Sequence, residues 1–160
     1  MNLSLKGSHA LVCGASQGIG LAAARELAEL GAQVTLMARN SEKLKEAIQS
    51  LAKGGHEGHG YVVADFSNHK DVSEVARHLT ANSNIDILVN NTGGPKGGSI
   101  SEAEIEEFTN TFEQHLLCNH VLAQAVLPGM RERGHGRIIN VISTSVKAPL
   151  NGLGVSNTIR

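Results

Sequence analysis

A glycine-rich turn near the start of the chain has the residue types and spacing to bind the phosphates of a nucleotide. It follows an apolar run and opens an amphipathic pattern, and its candidate residues are Gly14, Ser16, Gln17, Gly18, Ile19 and Gly20. Gly14 could form the tight turn, Gly18 could let the backbone approach a pyrophosphate, and Gly20 could let the next helix pack closely. The N–H groups that open this helix would then face the phosphates. The alternative is that these glycines serve only the geometry of a strand-to-helix turn.

The end of the second apolar run bears on which dinucleotide would bind. An NAD binder usually offers a carboxylate there to the ribose hydroxyls. This chain instead has Arg39 followed by Asn40, and the first acid after the run is Glu42. A guanidinium at this point would attract a 2′-phosphate. The sequence therefore favours NADP(H) over NAD(H), with a solvated arginine before a helix as the alternative.

Five apolar strands alternating with helices are predicted to position these residues. The strand segments are HALVCG, QVTLMAR, GYVVAD, IDILVNN and GRIINVIS. Continuous apolar runs of this kind are typical of parallel strands covered on both faces. The alternation predicts an α/β fold, a doubly wound Rossmann-type sheet, as a single dinucleotide-binding domain over residues 1–160.

Helix boundaries follow from apolar spacing and from capping residues. The second helix should begin after Ser41 as its N-cap and stop near Gly54. The longest helical region should open with a capping box of Ser101 and Glu104. Pro128 should end or kink that region near its C-terminus.

Composition and charge exclude several classes of function. The net charge of −1 gives no argument for binding of nucleic acid or of an anionic membrane. The 41% of hydrophobic residues, with 2% aromatic, is consistent with a globular core of small aliphatic side chains. No apolar run is long enough to span a bilayer, and no signal segment opens the chain. The only cysteines, Cys13 and Cys118, lie in apolar segments, so no disulfide framework is predicted and a cytoplasmic protein is expected. His56, Glu57 and His59 stand in a glycine-rich connection, which favours a surface loop over a metal site.

These motifs, in this order, resemble the short-chain dehydrogenase/reductase family. The resemblance rests on the glycine turn, on Asp65 after the third strand, on NNTGG after the fourth, and on the stretch CNHVLAQAVLPGMRERGHGRIINVISTS. It implies an NADP(H)-dependent oxidoreductase that interconverts a carbonyl and an alcohol of a small molecule by hydride transfer. It also implies cofactor contacts, with Asp65 and the backbone of Phe66 at the adenine and further contacts from Asn91, Thr92 and Gly93.

The same resemblance implies two catalytic positions in the second half of the chain. Asn119 matches an asparagine that helps hold a water molecule in the proton relay. Ser143 matches a serine that hydrogen-bonds the substrate oxygen. Each has a plain structural alternative, Asn119 as an ordinary polar helix residue and Ser143 as a turn residue.

The family's Tyr-x-x-x-Lys motif is absent from this chain. Its positions align with Leu153 and Asn157, and the only tyrosine, Tyr61, begins the third strand. Leucine cannot transfer a proton, and asparagine carries no charge to tune a neighbour. Lys147 could replace the proton donor if it were desolvated, with a solvated loop lysine as the alternative.

Two hypotheses of function follow, together with expectations about length and assembly. The first is the NADP(H)-dependent oxidoreductase, and the second is a nucleotide-binding regulatory or interaction protein without turnover. We expect the chain to be the N-terminal part of a longer family fold. In the resembling family the fourth helix commonly packs against its twofold mate, so a homodimer or homotetramer is expected through the apolar residues Ile105, Phe108, Phe112 and Leu116.

Overall fold

A computed structural model of the protein describes residues 3–51 and 58–160 and shows one five-stranded sheet. The strands are β1 (His9–Cys13), β2 (Gln33–Ala38), β3 (Gly60–Val63), β4 (Ile87–Asn90) and β5 (Arg137–Asn140). They are all parallel and stand in the order β3-β2-β1-β4-β5. The strand order reverses direction at β1, where parallel sheets of this kind form a crevice at the carboxyl ends of the strands. The predicted doubly wound α/β fold is confirmed.

Helices connect the strands and cover both faces of the sheet. They are α1 (Gly18–Glu29), α2 (Ser41–Gln49), α3 (His69–Asn82), α4 (Ile105–Phe112), α5 (Cys118–Glu132) and α6 (Gly154–Ile159). Short 3₁₀ turns lie at Ile100–Glu102 and Thr144–Val146. A π-helical turn, Glu113–Leu117, joins α4 to α5.

Alternate residues of the central strand point to opposite faces, and each face has its own apolar core. Ala10 and Val12 pack in the cluster that contains residues of α1 and α2. Leu11 and Cys13 pack in the cluster that contains residues of α3 and α5. Because aromatic side chains are scarce, both cores are built mainly from Ala, Val, Leu and Ile, and β1 is buried along its whole length.

The predicted cap of α2 is wrong by one residue. Asn40, not Ser41, is the N-cap, and its side-chain oxygen accepts a hydrogen bond from the Lys43 backbone N–H at 2.9 Å. The helix ends at Gln49. The predicted stop, Gly54, lies outside the described residues.

The boundaries of the fourth helical region also differ from the prediction. A capping box is present, but Glu104 and Glu107 form it before α4, and Ser99 caps the preceding 3₁₀ turn. The predicted capping box of Ser101 and Glu104 lies three residues before the observed one, because the polar residues here fit either position. Pro128 does not end the region, since α5 continues to Glu132.

The outer strands differ from the central ones in how far they are covered. In β3, Tyr61 and Val63 are partly exposed, and burial alternates along the strand. In β5, Ile139 is 49% exposed. The prediction of burial on both faces, made from continuous apolar runs, is therefore correct for β1, β2 and β4 and wrong for β3 and β5.

Candidate functional site

A cleft of about 530 Å³ opens at the carboxyl ends of the strands where the strand order reverses, and we call it the β1/β4 cleft. It contains all but one of the residues predicted to contact a cofactor: Gly14, Ser16, Gln17, Gly18, Ile19, Arg39, Asp65, Phe66, Asn91, Thr92 and Gly93. The remaining residue, Gly20, is buried beneath the turn. The topology thus brings together segments that are far apart in sequence.

The glycine turn shows a separate physical requirement at each glycine. Gly14 has φ +57°, and a Cβ there would lie 2.5 Å from the Asn91 backbone oxygen. A Cβ on Gly20 would collide with the Gly14 carbonyl. Gly18 has φ +60°, and among the described residues no atom lies within 4 Å of where its Cβ would stand. Gly14 and Gly20 therefore serve packing, and Gly18 leaves the backbone accessible from the cleft.

The start of α1 fits a phosphate group. This helix begins at Gly18, and no side chain caps its first turn among the described residues. Backbone N–H groups in a first turn lack intrahelical acceptors and favour an anion. Asn91 holds the turn in place, because its Nδ2 lies 3.3 Å from the carbonyl oxygens of both Cys13 and Gly14. The turn is therefore held in place by Asn91 and accessible from the cleft, as binding of a pyrophosphate requires.

The end of the cleft at Arg39 and Asp65 combines one acid with basic side chains. The Asp65 carboxylate accepts a hydrogen bond from the Ser67 N–H at 3.0 Å. That bond, with a smaller contribution from the Arg39 charge, lowers the pKa of Asp65. Lys43, which the sequence reasoning missed, donates from Nζ to the Gln17 side chain at 3.3 Å. Arg39 itself is exposed and lines the cleft.

A histidine that the sequence analysis did not identify contacts two residues that line the cleft. His115 lies in the π-helical turn, with Nδ1 3.1 Å from Thr92 Oγ1 and Nε2 3.1 Å from the Gly93 carbonyl oxygen. Burial, and next the positive charge of Arg160, lower the pKa of His115. The histidine is four residues before Asn119, so helical spacing could have marked it.

A second space of about 330 Å³, the inner cavity, lies between β4, β5, α5 and α6. It is lined by His115, Asn119, Arg160 and Asn90 among others. Three buried polar atoms have no hydrogen-bond partner within the described part of the chain, namely Asn90 Oδ1, Asn119 Oδ1 and Arg160 Nε. Asn119 thus faces the inner cavity, and its role in a relay stays a prediction.

The two other predicted catalytic residues lie at the end of β5. Ser143 caps a 3₁₀ turn, and its Oγ accepts from the Ser145 N–H at 3.2 Å and lies 2.7 Å from Ser145 Oγ. Lys147 ends this turn with an exposed side chain. The exposure favours the solvated-loop interpretation of Lys147, because the alternative required desolvation.

The positions aligned with the missing tyrosine and lysine have structural roles. Leu153 precedes α6 and forms an isolated parallel bridge with Gly98. The Asn157 side chain donates to the Leu150 carbonyl at 2.9 Å and lies 3.3 Å from the Leu150 N–H. Asn157 therefore closes the loop before α6.

Metal ligation and a membrane span find no support in residues 3–51 and 58–160. No group of three or more His, Cys, Asp or Glu side chains could hold a metal there. His56 and Glu57 lie outside the described residues, while His59 Nδ1 accepts from the Val34 N–H at 3.1 Å. No described helix is long and apolar enough to cross a membrane.

Both cysteines are buried free thiols. Burial raises the pKa of Cys118 to about 12, and its Sγ lies 3.2 Å from the Phe66 carbonyl oxygen. Burial raises the pKa of Cys13 as well. Both thiols are therefore protonated at neutral pH and act as packing residues.

Comparison with known proteins agrees with this geometry. The sequence model of a family described as short chain dehydrogenase matches residues 8–155. A Streptomyces violaceoruber protein named as a ketoacyl reductase of granaticin polyketide synthase is 38% identical over 141 residues, which cover 86% of this chain and 52% of that protein. A Pongo abelii protein named inactive hydroxysteroid dehydrogenase-like protein 1 is 33% identical over 145 residues, 89% of this chain and 44% of that protein.

A solved structure with the same architecture contains a bound cofactor. L-sorbose reductase from Gluconobacter frateurii, complexed with NADPH and L-sorbose, matches with a TM-score of 0.91 and 34% identity. The match covers 99% of this chain and 61% of that one. The chain thus spans about half the length of the curated relatives it matches.

Proposed function

Because the chain belongs to the short-chain dehydrogenase family, we propose that it binds NADP(H) in the β1/β4 cleft and acts in the interconversion of a carbonyl and an alcohol. The supporting observation is that the glycine turn, Arg39, Asp65 and the segment after β4 line one continuous space. The NADPH-bound reductase with a TM-score of 0.91 supports the choice of cofactor.

Each part of the cleft has a distinct task in this proposal. The first turn of α1, exposed at Gly18, binds the pyrophosphate. The Arg39 guanidinium pairs with the 2′-phosphate. Asp65 and the backbone of Phe66 hold the adenine, and the segment from Asn91 to Gly93 lies along the rest of the cofactor.

The chemistry divides between cofactor and protein. When bound, the nicotinamide supplies or accepts the hydride. The protein orients the substrate oxygen, for which Ser143 is the proposed hydrogen-bond partner, and it must hold or deliver one proton. Asn119, which has an unpartnered oxygen on the inner cavity, is proposed to hold a water molecule.

A cofactor titration with a matched pair of glycine variants tests the proposal. Gly18→Ala puts a methyl group into the cleft at φ +60°, and Gly7→Ala meets similar strain at φ +85° in equally open space outside it. We expect Gly18→Ala to weaken NADPH binding at least about tenfold, or about 1.4 kcal/mol, and Gly7→Ala to leave it unchanged. A wild-type chain that binds no NADPH in calorimetry refutes the assignment.

A second function is favoured by the residues at the missing motif. Leu153 and Asn157 hold the loop before α6 instead of offering a proton, which fits a nucleotide-binding regulator without turnover. A positioned proton donor is typically worth about 10²–10⁴-fold in rate. We therefore expect retained NADPH binding, with reduction of simple ketones slower by up to about that factor than in a tyrosine-bearing family member. Binding with no hydride transfer to any ketone would favour the regulator.

We further propose that residues 1–160 are the N-terminal part of a longer family fold. The support is that the match covers 52% of one relative and 44% of another. The intact mass of the native protein tests this. A native mass equal to the 16.8 kDa of these 160 residues would contradict it.

A further inference from the structure

The wall between the two cavities contains a hydroxyl and an imidazole in contact. Thr92 lines the β1/β4 cleft, and His115 behind it lines the inner cavity. Their Oγ1 and Nδ1 atoms are 3.1 Å apart. A hydroxyl that is hydrogen-bonded to a histidine, on a residue that lines a cleft, is an arrangement in which the histidine can take up or return the hydroxyl proton.

The partners of His115 settle its neutral tautomer. The Gly93 carbonyl oxygen, 3.1 Å from Nε2, can only accept, so Nε2 carries the proton. Nδ1 is then a bare acceptor, and the Thr92 hydroxyl donates to it. Both ring nitrogens are therefore oriented, as a histidine that exchanges protons requires.

The helix around His115 is built in an uncommon way. The π-helical turn Glu113–Leu117 interrupts an otherwise α-helical region at this histidine. Single π turns inside α-helices occur frequently at functional sites. The turn brings His115 against Thr92 and Gly93, the segment that follows β4.

We propose that Thr92 and His115 form a proton relay that takes the place of the missing tyrosine, an inference that rests on the proposed carbonyl–alcohol chemistry. In reduction, hydride adds to the carbonyl carbon and its π bond breaks. The Thr92 hydroxyl gives its proton to the substrate oxygen and receives one from Nδ1 of protonated His115. In oxidation the proton moves the opposite way, and neutral His115 accepts it. Thr92 is then the catalytic residue, and His115 delivers or collects the proton.

The surroundings of His115 determine the pH dependence. Burial and the facing charge of Arg160 from α6 lower its pKa below 6.5, while the Gly93 carbonyl opposes this. His120 shares the inner cavity, and Glu113 of the same turn is engaged by His69. Reduction needs the protonated imidazole, so its rate should fall as pH rises through the His115 pKa. Oxidation should be lost as pH falls through that value.

Two readouts test the relay in the full chain, one of them independent of turnover. Nitrogen-15 NMR of the imidazoles should show His115 as the Nε2–H tautomer at pH 7.5, titrating below pH 6.5. Thr92→Val should alter the Nδ1 shift, and Thr92→Ser should restore it. Another tautomer, or an Nδ1 shift unchanged by Thr92→Val, overturns the relay whatever the activity.

The second readout is turnover in the same variants. Thr92→Val and His115→Gln should lower ketone reduction about 10²-fold and abolish the pH inflection, and His115→Gln should leave the NADPH affinity unchanged. Thr92→Ser should recover most of the rate. Thr80→Val, at a half-buried position of α3, and His78→Gln, at an exposed one, are controls that should behave as wild type.

The failures of the two proposals can be told apart. Wild-type rates in Thr92→Val, or an inflection that persists in His115→Gln, overturn the relay and leave the proposed function standing. A wild type that binds NADPH and reduces no ketone overturns the relay and leaves the cofactor assignment. Absence of NADPH binding overturns the cofactor assignment directly.

Discussion

Individual charges at the Arg39 end of the β1/β4 cleft bear on which cofactor binds. Arg39 is exposed, lines the cleft, and acts electrostatically on Asp65. Lys43 reaches Gln17 across the same corner. Since charge-assisted hydrogen bonds are worth about 1.5–3 kcal/mol each, one guanidinium there can decide between a ribose hydroxyl and a 2′-phosphate.

Arg39→Asp should therefore change the cofactor preference. We expect wild type to bind NADPH more tightly than NADH, and the variant to lose or reverse this preference, a change of about 10–100-fold in the affinity ratio. Arg77→Asp, in the exposed face of α3, is the matched charge control. Equal affinities of the unmutated protein for the two cofactors in a fluorescence titration would exclude this role of Arg39.

At the scale of elements, the β1–α1 turn is braced by the end of β4. Asn91 hydrogen-bonds the backbone of the turn, and Gly20 packs directly against the Gly14 carbonyl. The phosphate-binding geometry thus depends on close contact between two segments that are far apart in sequence.

Gly20→Ala should disturb this contact measurably. The added methyl group collides with backbone, which cannot rotate away as a side chain would, so we expect a loss of about 1–3 kcal/mol in the free energy of unfolding. Gly98→Ala has open space around its Cβ and should change stability by less than about 0.5 kcal/mol. Urea denaturation measures both changes, provided that the slope of the unfolding free energy against urea concentration is the same in the two variants. An unchanged midpoint for Gly20→Ala would show that the turn can relax.

At the scale of the whole molecule, apolar side chains remain on the surface of the fourth helical region. Ile105 is 71%, Phe112 42% and Leu116 50% exposed. Where exposed apolar residues form one patch, that patch marks an interaction surface more often than a solvated one.

We propose that this surface mediates the expected homodimer or homotetramer. Phe112→Glu should shift the protein towards monomer, because a charge would be buried in the interface. Leu3→Glu, which alters an equally apolar exposed residue outside that region, is the control. Sedimentation that shows a monomeric wild type at micromolar concentration would contradict the prediction.

Acid stability of the whole fold should depend on His9. Burial lowers its pKa below 6.5, with the Asp86 charge acting in the opposite direction, and its Nε2 lies 2.8 Å from Thr35 Oγ1. The unfolded chain binds the proton more readily than the folded one. The contribution of neutral His9 to the free energy of unfolding is therefore present above pH 6.5 and is lost as pH falls towards the folded pKa. One such proton contributes at most about 1.4 kcal/mol per pH unit.

The urea midpoint at several pH values between 7.5 and 5.5 measures this effect. We expect a decrease with falling pH that is smaller in His9→Gln, whose amide can still bond Thr35. The exposed His78→Gln is the control. If the urea midpoint falls equally with pH in wild type and in His9→Gln, the acid sensitivity comes from other groups, such as His115, whose pKa is also lowered.

The class of fold could be predicted from the sequence, because strand and helix periodicity and turn glycines are local properties. Continuous apolar runs fitted the central strands, and the spacing of Gly14, Gly18 and Gly20 pointed to the cleft that they line or underlie. Helix boundaries were less certain, as Asn40 and Glu104 show, since neighbouring polar residues can cap equally well.

The contacts between remote side chains became known only from the folded chain. His115 could not be assigned to Thr92 from sequence, because a π turn changes which face of a helix its residues present. Likewise, the exposure of Lys147 and the bonding of Asn157 to Leu150 depend on how the chain after β5 folds back. The local pattern of apolar and turn residues specifies the helices and strands. Proton transfer depends instead on distances of a few ångströms between residues remote in sequence, and those distances are set by how the helices and strands pack.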